Sequence, residues 1–169
     1  YGIGIIMTAP SVEYKITFKN KDEQLVNNPS AIDLSEVVSI EEPWIKSTII
    51  CPDKFIGKIM DLISSRRGTS SNIEYLNTSE NSSALNRILI TFEMPLGEIL
   101  IGFYDHLKSV TQGYGSMDYE IIGFNQTNVA KVDILINQEK IDSLSIFISK
   151  EKSYYYGKEL VSKLKELIP

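Results

Sequence analysis

The chain has 169 residues, of which 43% are hydrophobic and 23% charged, a composition typical of a globular protein. Its net charge of −5 argues against a nucleic-acid-binding surface that covers the whole molecule, so any RNA contact has to be local. The single cysteine, Cys51, excludes an internal disulfide and any CxxC metal or redox site.

The first 40 residues predict a β-rich segment. Residues 12–18 alternate between apolar and other side chains, which predicts a strand, and the polar run 19–22 predicts a turn. The chain begins at Tyr1 with an apolar run already in progress, so we interpret it as a fragment. We expect these strands to lack partners and to be disordered or to pair between molecules.

The segment between Trp44 and Asn125 has the element order βαββαβ. Pro43 restricts the residue before it to extended geometry, so a new unit is expected to begin there. The patterns predict a helix that ends at Gly68, a second helix from Pro95 through Leu107, and a last strand over 114–124. This order predicts an α+β, ferredoxin-like sandwich with two helices on one face of a four-stranded antiparallel sheet.

The residues from 128 onward predict a β-hairpin and one helix. The hairpin turns at residues 137–140, and the helix is expected to bury a face that includes Tyr154 and Leu160. The predicted divisions of the chain are therefore 1–40, 41–127 and 128–169.

No catalytic constellation is visible in the sequence. There is no GxxxxGK[ST] phosphate loop and no GxGxxG turn, so the chain is not expected to bind or hydrolyse nucleotide by itself. His106 is the only histidine, and Cys51 follows an apolar run as a core thiol would. We expect no catalytic, cofactor-binding or metal-binding residue in this chain.

Local basic and aromatic groups offer possible RNA contacts. Arg66 and Arg67 at a helix end can grip phosphates, although a purely structural role explains them equally well. The loop 108–116 combines Lys108, two glycines and Tyr114, which allows close backbone approach and base stacking. Near the last helix, Lys150 and Lys152 accompany tyrosines, where solvent exposure and Tyr packing remain the simpler interpretation.

Several ordered motifs resemble one family. Along the chain these are Thr8-Ala9-Pro10-Ser11-Val12, Ile40-Glu41-Glu42-Pro43-Trp44, Arg66-Arg67-Gly68, Phe92-Glu93-Met94-Pro95-Leu96 and Lys163-Leu164-Lys165-Glu166-Leu167. In this order and spacing the chain resembles elongation factor 4, the LepA family. The resemblance implies a ribosome-dependent translational GTPase, related to elongation factor G, that promotes back-translocation of transfer RNAs during protein synthesis.

The resemblance also implies what surrounds the chain. GTP and Mg²⁺ would bind the G domain, which this chain lacks, so no cofactor is expected here. Residues 1–40 would end the third domain, 41–127 would be similar to the fifth domain of elongation factor G, and 128–169 would start the family-specific C-terminal domain. The partners would be ribosomal RNA and transfer RNA. The fragment would be a monomer, and the parent cytoplasmic with peripheral attachment to the cytoplasmic face of the inner membrane.

The resemblance assigns ribosome contacts to a small set of residues. The resemblance gives Arg66, Arg67 and Gly68, and the local candidates add Lys108, Gln112, Tyr114, Lys150 and Lys152 as possible ribosome contacts. Gln112 stands where the family usually has Arg, and Ser149-Lys150-Glu151 stands for its usual His-Arg-Asp, which weakens the RNA-facing chemistry at both places. Two other interpretations stay open: a small-molecule-sensing regulatory module, and an acyl-phosphate hydrolase using Arg66, Arg67 and Asn72.

Overall fold

The computed structural model describes residues 12–76, 86–142 and 145–167. Its residue contacts divide the chain into two compact units. The central unit is Pro43–Asn125, and the flanking unit combines the residues up to Glu42 with those from Gln126 onward. The origin of these segments in the domains of a longer factor stays a prediction.

The elements follow in chain order: β1 (Tyr14–Phe18), β2 (Glu23–Val26), β3 (Val37–Pro52), α1 (Ile56–Ser65), β4 (Thr69–Leu76), β5 (Arg87–Pro95), α2 (Leu96–Leu100), α3 (Phe103–Val110), β6 (Ser116–Gln126), β7 (Val129–Val132), β8 (Leu135–Ile136), β9 (Glu139–Lys140), β10 (Ile146–Ser149) and α4 (Lys150–Leu167). Short 3-10 turns lie at Pro29–Ala31, Leu34–Glu36 and Asp53–Phe55.

The central unit has the predicted ferredoxin-like topology. Its strands lie in the order β6-β3-β5-β4, and β5 runs antiparallel to both of its neighbours. Alternate residues of β5 are buried, as the period of a half-buried strand requires. They pack against the helices in one core, whose fully buried members include Ile45, Ile49, Ile59, Ile63, Ile88, Ile90, Phe92, Phe103 and Leu107. The predicted fold class is confirmed.

The second predicted helix is broken in the structure. Gly102 has a φ of 65°, in the left-handed region, so α2 ends at Leu100 and α3 begins at Phe103. Ile99 and Phe103 are both buried, which keeps the apolar period intact across the break. The last strand begins at Ser116 rather than at residue 114, because the preceding residues form a turn.

β3 continues through Pro43. The strand that pairs with one edge of β3 changes at this residue, so no backbone hydrogen bond from Pro43 is needed. Residues 37–41 of β3 pair with β1, and residues 44–52 pair with β5. A proline lacks the N–H that a continuous ladder would need, and Pro43 lies between these two ladders. The predicted boundary therefore coincides with a change of partner and not with the end of an element.

The flanking unit contains partners for the N-terminal strands. β1 pairs with β2 and with the start of β3, and the Tyr14 ring meets the Phe147 ring edge-on at 5.0 Å. The expectation that these strands lack partners is therefore wrong for residues 14–26; residues 1–11, which carry the rest of that prediction, lie outside the described residues.

The C-terminal hairpin is nested rather than simple. β7 pairs with β10, and inside this ladder β8 and β9 form a smaller hairpin. Its tip is Asn137-Gln138, and both residues have positive φ, as the two-residue hairpin turn favoured by strand twist requires. In α4 the expected burial of Tyr154 is wrong, because Tyr154 and Tyr155 are 72% and 74% exposed.

Candidate nucleic-acid interface

The first candidate residues lie at the C-terminal end of α1. The sequence predicts a helix end at Gly68, a residue that commonly takes the left-handed position there, but Arg67 takes it instead, with a φ of 59°. The Gly68 N–H donates to the Ile63 carbonyl at 2.9 Å, which closes the helix end in a Schellman motif. A Cβ on Gly68 would lie 2.6 Å from Cγ2 of Ile63, so close packing, not a positive φ, requires glycine here.

Both arginines are bound within the central unit. Nε of Arg67 donates to Oε1 of Glu98 at 2.9 Å, and Nη1 of Arg66 lies 3.8 Å from Oε2 of the same carboxylate. Arg66 also donates to the Ile101 carbonyl at 3.0 Å. Glu98 is only 6% exposed, so its charge depends on these two guanidinium groups. The sequence did not indicate this buried pairing, because Glu98 lies in the first turn of a helix, where exposed acidic residues are common.

Arg66 also contacts the only histidine of the chain. Nη2 of Arg66 lies 3.1 Å from Nδ1 of His106. A guanidinium has donors only, so Nδ1 is the acceptor in this contact. His106 therefore lies beside an arginine at the surface of α3.

The second group of candidates lies on the loop after α3. Thr111 is fully buried; its hydroxyl donates to the Leu107 carbonyl at 2.7 Å and accepts from the Gly115 N–H at 2.8 Å. Gln112 takes a positive φ of 53°, and the Gly113 N–H donates to the Lys108 carbonyl at 2.7 Å. These bonds hold the turn that presents Tyr114.

Lys108 and Tyr114 belong to a surface that we name the basic–aromatic end, formed by Lys54, Phe55, Tyr104, Lys108 and Tyr114. The Tyr114 ring is 59% exposed and stacks on the buried Phe55 ring, with centroids 6.4 Å apart. Nζ of Lys54 lies 4.8 Å from the Phe55 centroid, and Nζ of Lys108 lies 5.4 Å from that of Tyr104. Cations and exposed rings are thus held together without an ion pair to a carboxylate among the described residues.

Sequence reasoning missed Lys54, Phe55 and Tyr104 at this surface. Tyr104 follows the apolar helical period of residues 96–107, which predicts a buried position, and this prediction is wrong because about half of the residue is exposed. Its spacing of four residues from Lys108 was the available signal, because residues i and i+4 are neighbours on a helix. Lys54 and Phe55 come from a distant segment, and only the packing of α1 on α3 brings them close.

The candidate residues lie on three segments of the chain. Phe55 precedes α1 and Arg66 follows it, so these two residues are separated by the length of a ten-residue helix, about 15 Å, although Arg66 also reaches His106, which lies between Tyr104 and Lys108 on α3. Lys150 and Lys152 start α4 in the flanking unit, beside the edge-on ring pair of Tyr154 and Tyr155.

Other chemistry is limited in the part of the chain that the structure describes. Burial raises the pKa of the Cys51 thiol to about 11, so it is protonated and unreactive near neutral pH. The described residues contain no group of three or more His, Cys, Asp or Glu placed to hold a metal ion. None of the described helices is long and apolar enough to cross a membrane.

Comparison with known proteins identifies the family. Residues 39–135 match the family described as elongation factor G C-terminus. Over its whole length the chain is 43% identical to elongation factor 4 of Halalkalibacterium halodurans and of Chlorobium limicola, and 44% identical to that of Mycoplasmopsis pulmonis. The chain spans 27% of the length of each of these relatives. A crystal structure from Thermus thermophilus covers 53% of this chain, and this chain covers 12% of it, at 21% identity with a TM-score of 0.44, too low to carry an argument.

The chain therefore belongs to a class of translation-factor domains, the elongation factor G C-terminus family. Within this class it is a member of the elongation factor 4 family, which confirms the resemblance found in its motifs.

Proposed function

We propose that this chain is the ribosome-binding C-terminal part of a translational GTPase, and that the basic–aromatic end contacts ribosomal RNA. The observation that carries the proposal is the contact of Lys54 and Tyr114 with one ring, Phe55, beside Lys108, whose Nζ lies 3.4 Å from the Gly113 carbonyl and over the Tyr104 ring. Lysines neutralise phosphates, and exposed rings stack on unpaired bases. In a chain of net charge −5, RNA binding depends on such a local surface.

The activity of the longer parent is a part of the same proposal. The G domain of the parent would bind GTP and Mg²⁺ and hydrolyse GTP, and the factor would promote back-translocation of transfer RNAs on the ribosome. The present chain would supply contacts with ribosomal RNA and, through Lys150 and Lys152, with further RNA. Support for this step comes from the elongation factor 4 relatives, whose names state a role in elongation.

The arginine pair makes a poor test of this proposal. Replacing Arg66 and Arg67 with alanine leaves the buried Glu98 carboxylate without these two cations, which costs on the order of 3 kcal/mol of stability. Loss of binding in that variant would report unfolding as readily as a lost RNA contact. The role of Arg66 and Arg67 as RNA contacts stays a prediction. A test of it needs Glu98→Gln in the same variant, so that no buried charge is left without a cation.

Co-sedimentation with ribosomes over a salt series tests the basic–aromatic end directly. The variant Lys108→Gln with Tyr114→Ala removes one charge and one exposed ring from it. We expect binding to weaken by at least about tenfold, because one stacked base contributes about 1–3 kcal/mol. The slope of log affinity against log salt should also fall by about one, for one lost phosphate contact.

The matched control is Lys46→Gln with Tyr75→Ala. It removes one exposed lysine and one exposed tyrosine from β3 and β4 of the same unit, away from the helix ends. Unchanged binding in the control, with weakened binding in the test variant, supports the proposal. Equal weakening of both, or ribosome binding that does not respond to salt, contradicts it.

A further inference from the structure

β6 is an open edge of the central sheet. Among the described strands it pairs only with β3, so its other edge carries backbone N–H and C=O groups without a strand partner. It is eleven residues long, contains no proline, and exposes Tyr119, Ile121, Ile122 and Phe124. Proteins usually protect such an edge by shortness, proline or covering elements. A long, apolar open edge is therefore a place where another extended segment can pair.

The polar side chains of β6 define which segment fits. Asp118 and Glu120 lie on this strand, and neither forms a salt bridge among the described residues. An open cavity of about 510 Å³ is lined by residues 116–120 of β6 and by Lys46, Thr48 and Ile50 of the paired strand β3. Lys46 is the one cation in this lining, and Glu93 lies opposite it on β5. Acidic groups therefore outnumber basic ones around the edge.

We propose that β6 binds an extended, basic segment of another protein by strand addition. The main chain of the partner would pair with the open edge, and this pairing would supply affinity. Arginine or lysine at alternate positions would meet Asp118 and Glu120, and the cavity offers room for their aliphatic stems. The intervening side chains would cover the apolar residues of β6.

The charge of the edge disfavours other occupants. Phosphates would meet Asp118 and Glu120, so this surface is unsuited to RNA, in contrast to the basic–aromatic end. A second copy of the chain would bring an equally acidic strand and a net charge of −5. The proposal does not depend on ribosome binding, so the two can fail separately.

The test uses the 169-residue chain and a synthetic peptide of alternating arginine and threonine, long enough to span β6. Backbone amide NMR spectra and hydrogen exchange are recorded during titration at low salt. We expect saturable binding, with shifts confined to β6 and its neighbours, and exchange of the β6 amides that face away from β3 slowed at least about tenfold. The same peptide N-methylated at alternate residues should bind at least about tenfold more weakly, because it cannot donate to the edge.

Two pairs of substitutions distinguish the effect of the acidic groups on β6 from the effect of the net charge of the chain. Asp118→Asn with Glu120→Gln should weaken binding at least about fivefold, whereas Asp61→Asn with Asp105→Asn, two exposed acids on α1 and α3, should leave it unchanged. Urea unfolding checks that each variant folds.

Four results would overturn the proposal: equal binding of the N-methylated peptide, equal effects of the two variant pairs, protection without peptide of the β6 amides that face away from β3, or shifts of β6 on adding a uridine oligonucleotide. Protection without peptide that grows with chain concentration would identify a second copy as the occupant.

Discussion

Two glycines of the central unit show how local space, rather than the residue type, decides what a substitution does. A Cβ added at Gly68 would lie 2.6 Å from Cγ2 of Ile63 and 2.9 Å from both Met94 Cε and the Ile63 carbonyl oxygen. A Cβ added at Gly57, near the start of α1, would meet nothing within 4 Å. Gly68 thus lets the turn after α1 pass close to the core, and Gly57 has no such role.

We predict opposite effects for alanine at these two positions. Gly68→Ala should lower the free energy of unfolding by about 1–3 kcal/mol, because Ile63 and its backbone have to shift. Gly57→Ala should raise it by about 0.5–1 kcal/mol, because alanine loses less conformational freedom in a helix. Urea unfolding at neutral pH measures both. A neutral result for Gly68→Ala would contradict the close packing against Ile63.

The two helix ends of the central unit are built alike. After α1, Arg67 takes a positive φ and Gly68 follows; after α3, Gln112 takes a positive φ and Gly113 follows. In both, the glycine N–H donates back to a carbonyl five residues earlier. The second end has one further support, the buried Thr111 hydroxyl, which bonds to Leu107 and Gly115 and so holds the turn beneath Tyr114.

This support predicts the behaviour of Thr111 variants. Thr111→Val keeps the shape but leaves the Gly115 N–H without its acceptor, which should cost about 1–3 kcal/mol. Thr111→Ser keeps the hydroxyl, so its free energy of unfolding should fall by less than half as much as that of Thr111→Val. Hydrogen exchange of the Gly115 amide, beside urea unfolding, is the measurement. Equal losses in both variants would mean that the methyl group and not the hydroxyl matters.

The elements show which parts of this fold a sequence can predict. The apolar residues of the sequence repeat every two residues in β5 and every 3.6 residues in α1. These repeats predict the strands and helices and so the βαββαβ order, because the buried residues of these elements recur regularly. The break at Gly102 was missed, because Ile99 and Phe103 stay buried on either side of it. The contacts of the candidate interface were harder to predict from the sequence than the elements. Glu98 and its two arginines, and Phe55 beneath Tyr114, meet only through packing between elements that are distant in sequence.

At the scale of the whole molecule, the flanking unit is assembled from two segments that lie far apart in the chain. Nζ of Lys131 donates to the carbonyls of Ser30 and Ile32 at 2.9 and 3.0 Å, and Nζ of Lys140 donates to that of Ser30 at 3.1 Å. Lys140 also pairs with Asp133. Burial opposes ionisation of Asp133, but hydrogen bonds from Ser145 and Lys140 outweigh it and lower the pKa of this carboxyl.

These lysines predict that the two segments lose structure together. Lys131→Met keeps most of the side-chain volume but removes both charge-assisted bonds, so opening of the unit should become about ten times more frequent. Amides of β1 and of β7 and β10 should then exchange faster by the same factor. Lys58→Met, which replaces an exposed residue of α1 in the central unit, should leave these amides unchanged. Faster exchange in β7 and β10 alone would mean that residues 12–42 hold their structure independently, and that the contact through Lys131 does not couple the segments.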